Sequence, residues 1–358
     1  MLEVDGRVPV VWSPATRLHD PRHEVWVGVA TEGTEVAARV DVILEALRDG
    51  PFRLVEASAD PTAMLEAVHD EELLEFLRTS YERWTQGPYA ALVGQDRVVP
   101  YFFPTPAMTG SIPTRPAAAV HADAGRFAYD TMTLVGPGSW EAVTAAAACA
   151  AEAAALVGGG TPLAYALCRP PGHHATRAGF GGSCYVNNAA VAAEALLAHG
   201  HDLVAVLDVD AHHGNGTQAV FYERGDVLYG SVHVDPGAGW FPHVVGYADE
   251  TGIGGGAGAT RNLPLAEGTG DGPWLDAVQD LAGWATTAGC TALVVSLGVD
   301  AAADDPESPL LVTADGYRGA GGILGATGLP TVAVQEGGYH LPTLGGLVAA
   351  YLDGHTHD

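Results

Sequence analysis

From Trp140 onward the chain alternates short, unbroken apolar runs with helical stretches, and this alternation limits its possible folds more than any other feature. The runs are Leu163–Leu167, Leu203–Leu207, Val227–Ser231, Ala292–Leu297 and Thr331–Val334. Between and around them lie an Ala-rich helix from about Trp140, helices predicted over Asn187–His199, Trp274–Ala288 and Gly316–Leu324, and a last helix ending near Leu352. A strand buried on one face alternates apolar with polar residues, whereas one buried on both faces is apolar throughout. These runs are of the second kind. They predict a three-layer α/β/α architecture around a mainly parallel sheet. The front part, to about Trp84, mixes a short strand with helices expected over Glu35–Leu47 and Pro61–Tyr81. Gln86–Gly138 is rich in Pro, Gly and aromatic residues and weak in periodicity. A loop of that length inside a compact domain usually serves function or an oligomer contact. No repeat or linker divides the chain, so residues 1–358 are expected to form one domain carrying an insertion at about 86–138.

Ligands of such sheets bind beyond the carboxyl ends of the strands. Five consecutive runs end in residues capable of chemistry: Arg169-Pro-Pro-Gly-His-His174, Asp208-Val-Asp-Ala-His-His-Gly-Asn215, His233 with Trp240 and Phe241 a few residues on, Asp300, and Glu336-Gly-Gly-Tyr339. Residues i and i+2 at a strand end point the same way, so Asp210 and His212 can converge, and Asp300 can supply a third ligand. Two carboxylates and one imidazole leave a coordination position open, as catalytic zinc requires. The same donors suit Fe2+ or Co2+. The adjacent imidazoles of His173 and His174 can acquire different pKa values from different partners, and Asp208 and Asn215 are available for that purpose. A Tyr339 hydroxyl near a metal can donate to a developing oxyanion. The isolated His19, His69, His121, His355 and His357 read as structural residues.

The 16 basic residues, all Arg, stand against 43 acidic ones, a net charge of −27. That charge repels phosphate and anionic lipid, which disfavours nucleic-acid and membrane-surface partners and favours cations. Cys149, Cys168, Cys184 and Cys290 form no CxxC pair and read as reduced thiols. Met1–Asp5 shows no basic stretch followed by an apolar one, and the longest apolar block, Ala142–Val157, contains Glu152. The expectations are a cytoplasmic protein and a buried amphipathic helix over that block.

Taken together, Arg169-Pro-Pro-Gly-His-His-Ala175, Phe180-Gly-Gly-Ser-Cys-Tyr-Val-Asn-Asn188, Asp208-Val-Asp-Ala-His-His-Gly-Asn-Gly-Thr-Gln218, Ser296-Leu-Gly-Val-Asp300 and Glu336-Gly-Gly-Tyr339 resemble the histone deacetylase superfamily. Within it the likeness is to bacterial acetylpolyamine amidohydrolases and class II deacetylases. The resemblance implies an arginase/deacetylase-like fold and zinc-dependent removal of acetyl from an amine. It implies Asp210, His212 and Asp300 as zinc ligands, His174 as general base and acid, and His173, held by Asp208, as its electrostatic support. Asn215 would orient His174, and Tyr339 would polarise the amide carbonyl. Asp208, the Ser231 hydroxyl and the backbone carbonyls of Asp210, His212 and Val232 match the family's structural K+ site. Gly182, Ser183 and Phe241 would line the acyl channel, with Ser183 where relatives carry an aromatic residue. Glu307, seven residues after Asp300, stands where polyamine-selective relatives place an acidic gatekeeper. The 86–138 segment, with Ile112-Pro-Thr-Arg115, resembles a dimer-forming insertion, so a homodimer is expected. The leading substrate is a small cationic acetylated amine. Alternatives are deacetylation of acetyl-lysine proteins or of a biosynthetic intermediate, and a metal-dead binding protein.

Overall fold

The computed structural model describes residues 6–91, 96–113 and 115–356. Met1–Asp5, Thr114 of the Ile112–Arg115 motif and His357 therefore lie outside the described residues.

Among the described residues there are ten strands: β1 (Val8–Trp12), β2 (Glu24–Trp26), β3 (Val29–Thr31), β4 (Phe52–Glu56), β5 (Leu163–Ala166), β6 (Val204–Asp208), β7 (Val227–Val234), β8 (Thr260–Leu265), β9 (Ala292–Leu297) and β10 (Thr331–Gln335). Eight of them form one sheet in the order β4-β1-β5-β10-β9-β6-β7-β8, while β2 and β3 make a separate antiparallel hairpin. Every pairing in the large sheet is parallel. The order places β10 and β9 between β5 and β6. The five strands whose ends carry the chemistry, β5-β10-β9-β6-β7, are therefore contiguous at the centre of the sheet.

Both faces are covered, which accounts for the unbroken apolar runs. Val206, Val294 and Val334 pack on one side with the helices Ser139–Gly158 and Asn188–Ala198. Ala205, Leu207, Val295 and Leu297 pack on the other with Ala38–Leu47, Asp271–Ala288, Ala314–Gly325 and Leu341–Thr356. Alanine is the best helix former and its small side chain allows close approach to the sheet. Ser139–Gly158 is long and apolar enough by composition to cross a membrane, but most of its alanines lie in this core. Glu152 points away from the core and accepts from the backbone and hydroxyl of Ser58 at 3.4 and 3.2 Å.

The front part differs from expectation. It holds four strands, not one, before Trp84. In the edge strand β4 only Phe52 is buried, while Leu54 and Glu56 are exposed, and the other edge strand, β8, contains Pro264, which an edge tolerates. Neither has the apolar continuity of the central strands. The helix expected over Glu35–Leu47 begins at Ala38, because Glu35 is buried against Arg39 and Arg169. The helix expected over Pro61–Tyr81 is two helices, Thr62–Val68 and Glu71–Gln86. His69 between them is extended. Its Nδ1 lies 2.9 Å from the Thr176 carbonyl oxygen, and its Nε2 accepts the Asn187 N–H at 2.9 Å. A helix running through His69 would lose both contacts.

Candidate active site

The Asp208–Asn215 turn leaves the end of β6, which register places opposite Ser231 on β7 and Ser296 on β9. Asp210, His212 and Asp300 are buried, and one ligand atom from each lies within 4.8 Å of the others. His212 Nδ1 is 3.1 Å from Asp300 Oδ2 and 3.4 Å from Asp210 Oδ1. Backbone amides aim the carboxylates. Asp210 accepts from His212 and Gly337 at 2.9 Å each, and Asp300 accepts from Ala211 at 2.9 Å. Burial, then the neighbouring Asp210 carboxylate, raises the Asp300 pKa to about 7. Two buried carboxylates beside one imidazole are short of positive charge, and a divalent cation fits that donor set.

The Arg169–His174 turn follows β5. Glu336, at the end of β10, accepts the backbone N–H groups of Gly172 and His173 at 2.6 and 3.1 Å. His173 Nδ1 lies 3.0 Å from Asp208 Oδ2, and His174 Nδ1 lies 2.8 Å from Asn215 Oδ1. The environments separate the two rings. Burial opposes the His173 charge, but Asp210 and Asp208 outweigh it and raise the pKa to about 10. Burial, then the His173 charge, lowers His174 well below the usual imidazole range. His173, Cys184 and Glu336 form a second group with ligand atoms within 4.8 Å. There burial pushes the Cys184 thiol well up, and His173 and Glu336 are already engaged.

Tyr339 is presented by Gly337 and Gly338. A Cβ at Gly337 would lie 2.3 Å from Asp300 Oδ2 and 2.7 Å from Asp210 Oδ2, so only glycine lets the backbone pass these two carboxylates. Gly338 has φ +122°, a conformation glycine favours. Arg39, which sequence reasoning missed, holds this turn. Its guanidinium donates to the carbonyls of Gly338 and Glu336 at 2.7 and 2.5 Å and lies 4.9 Å from the centre of the Tyr339 ring. Asp305 accepts the Tyr339 N–H at 2.6 Å. No local pattern marks Arg39 or Asp305, because their contacts bridge elements distant in sequence.

A cleft of about 480 Å³ opens over this set, lined by His174, His212 and Tyr339 at its base and by Gly182, Ser183, Phe241 and Glu307 among its walls. Phe241 meets His174 edge-on at 4.7 Å. The ring stacked on Phe241, 6.4 Å away and within 15° of parallel, belongs to Tyr129 of the 86–138 segment. The Tyr129 hydroxyl donates to the His174 carbonyl at 2.6 Å. Ser183 has φ +62° and its N–H donates to Thr133 Oγ1 at 2.9 Å. Glu307 accepts the Thr34 hydroxyl. Of the residues suggested for K+, Asp208 accepts the Asp210 N–H at 3.2 Å, Ser231 Oγ is 2.8 Å from His233 Nδ1, and Val232 is buried on β7.

The family model of the histone deacetylase domain matches residues 34–354. The acetylpolyamine amidohydrolase of Mycoplana ramosa is 40% identical over 346 residues, 96% of this chain and 98% of its own. Histone deacetylase 8 of Arabidopsis thaliana is 37% identical over 231 residues, 62% of this chain and 61% of its own. The crystal structure of the acetylpolyamine aminohydrolase from Burkholderia pseudomallei superimposes with a TM-score of 0.90 at 39% identity, covering 97% of this chain and 98% of that one. With the family model spanning most of its length and a relative of this identity matching nearly end to end, the chain belongs to the histone deacetylase family.

Proposed function

We propose that the chain is a metal-dependent deacetylase of small, linear, cationic acetylated amines. The observation that carries this reading is the convergence of Asp210, His212 and Asp300 with His174 and Tyr339 in one cleft that has Glu307 on its wall. The full-length similarity to acetylpolyamine amidohydrolases supports the substrate class.

Zinc held by Asp210, His212 and Asp300 would polarise the acetyl carbonyl and acidify a water, and Fe2+ or Co2+ fit the same donors. The remaining chemistry belongs to side chains of the chain itself. Asn215 accepts from His174 Nδ1, which leaves Nε2 free to take a proton from water and return it to the departing amine. Held charged beside Asp208, His173 keeps its neighbour neutral and ready to act as a base. The Tyr339 phenol, kept protonated by burial and by the Glu307 carboxylate, donates to the developing oxyanion. Gly182, Ser183 and Phe241 line the channel, and Glu307 draws the ammonium. A structural K+ would sit among the Asp208 carboxylate, the Ser231 hydroxyl and the carbonyls of Asp210, His212 and Val232.

Residues 1–358 act as one deacetylase domain with the 86–138 insertion. Exposed Tyr101, Met108 and Ile112 support a homodimer contact through that segment. The buried, unpaired cysteines support residence in the cytoplasm. Acetate release from a panel of N-acetylated diamines, acetylspermidines and acetyl-lysine peptides tests the reading. The acetylated diamines and spermidines are expected to have the highest kcat/KM, and a peptide preference would overturn the substrate class.

A further inference from the structure

A side-chain amide such as that of Asn215 has an acceptor end and a donor end of nearly the same shape. His174, held neutral, has a single N–H to place. With the amide turned one way, Asn215 accepts from His174 Nδ1 and leaves Nε2 free. With the amide turned the other way, Asn215 donates to Nδ1, and the ring carries its proton on Nε2, where it cannot act as a base. The ring alone does not choose between the two. What stands at the far end of the amide does.

That end faces the backbone of His174. Asn215 Nδ2 lies 3.5 Å from the His174 carbonyl oxygen, while Oδ1 lies 2.8 Å from Nδ1. A carbonyl only accepts, so an amide turned end for end would set oxygen against oxygen. Gly216 allows the close approach, since a Cβ there would stand 2.4 Å from the His174 carbonyl carbon. The carbonyl itself is held by Tyr129, whose hydroxyl donates to it at 2.6 Å. Tyr129 is fixed in turn. Its ring lies within 15° of parallel to Phe241 at 6.4 Å, and its backbone N–H donates to the Phe180 carbonyl at 3.1 Å. Gly181 makes room for the ring, from which a Cβ at that position would be only 2.2 Å away. The next residue, Asp130, accepts the Gly182 N–H at 2.6 Å. Part of the 86–138 insertion is thus fastened to the 180–183 turn, with one hydroxyl reaching the backbone of the general base.

We propose that Tyr129 is a positioning residue for deacetylation: by holding the His174 carbonyl it fixes the Asn215 amide, and through that amide the Nδ1–H form of His174 whose Nε2 takes the proton from water. This rests on the functional reading above and gives the 86–138 insertion a part in the chemistry. The hydroxyl serves the base, and the ring steadies Phe241, so the two contributions separate by substitution. Tyr129 is 37% exposed, so Tyr129→Phe removes the hydroxyl and keeps the ring without opening a buried cavity.

Steady-state kinetics with N-acetylputrescine compares the wild-type chain with Tyr129→Phe, Asn215→Asp and the double variant, with zinc content and Tm checked for each. Tyr129→Phe is expected to lower kcat about tenfold, the size of one net hydrogen bond, and to leave KM unchanged. In Asn215→Asp both side-chain oxygens accept and there is no amide to orient. Adding Tyr129→Phe to it is therefore expected to cost less than about twofold. An unchanged kcat in Tyr129→Phe, or an equal loss in both backgrounds, would overturn the proposal. Nitrogen-15 spectra of the histidine-labelled, zinc-loaded chain, with His174 assigned from His174→Ala, read the same point without turnover. The wild type should carry the His174 proton on Nδ1, and Tyr129→Phe should show a mixture of the two forms. Should the wild-type chain hydrolyse no acetylated amine, the functional reading falls on its own and the spectra decide. The Nε2–H form in the wild type, or an undivided Nδ1–H form in Tyr129→Phe, would overturn the role of Tyr129.

Discussion

His173 and His174 are neighbours in one turn, yet their surroundings assign them opposite protonation. Asp208 and Asp210 hold the first charged, while the first together with burial holds the second neutral. Each Nδ1 meets a different oxygen, the Asp208 carboxylate for His173 and the Asn215 amide carbonyl for His174. Tyr339 completes the set. Among the described residues its phenol has no hydrogen-bond partner to give up when it donates to a substrate oxygen, and Arg39 and Asp305 fix the turn that carries it. Tyr339→Phe is therefore expected to keep fold and metal content and to lose about 10²–10³ in kcat, the usual effect of removing one oxyanion donor. Steady-state kinetics with metal analysis checks this, and near wild-type turnover would reduce Tyr339 to a packing residue.

At the scale of elements, legibility tracked burial. The central strands are buried on both faces, so their composition announced them, and the chemistry at their ends was readable because i, i+2 spacing survives in any strand. The edge strands β4 and β8 are half-exposed and carry Arg, Glu or Pro, so the same signal fades. The break at His69 was invisible because its cause is tertiary, in contacts with Thr176 and Asn187. Tyr129 and Arg39 were missed for the same reason. Arg39 reaches the Gly338 and Glu336 carbonyls across almost 300 residues, and neither residue sits in a motif. The 86–138 segment contributes Tyr129 to the site from within and exposes Tyr101 at 78% and Ile112 at 75% outside. Apolar surface of that extent favours association. Light scattering at micromolar concentration is expected to report a dimer, and Tyr101→Glu combined with Ile112→Glu to shift it toward monomer. A wild-type monomer would remove the dimer from the account.

Across the whole molecule, the strand order turns separate local signals into one centre, since β5, β10, β9, β6 and β7 deliver their ends side by side. The same burial makes the fold sensitive to acid. Burial lowers the His69 pKa from its ordinary 6.5 to about 4. Between those values the unfolded chain binds a proton that the folded chain refuses, so stability is lost as pH falls from about 6.5 to about 4. The loss amounts to about 3 kcal/mol at most. Urea unfolding at pH 7 and pH 4.5 measures it, and His69→Gln should flatten this part of the pH dependence even though it lowers stability at pH 7. An unchanged slope in the variant would mean that other groups dominate.

The central claim is that one metal held by Asp210, His212 and Asp300 makes this cleft a deacetylase. Acetate release from N-acetylputrescine by the chelator-stripped protein, followed during titration with zinc, tests it most directly. The account predicts no release before zinc and recovery that saturates near one equivalent per chain, with Asp300→Ala failing to recover. Undiminished turnover after stripping, or full zinc occupancy in an active Asp300→Ala protein, would contradict it.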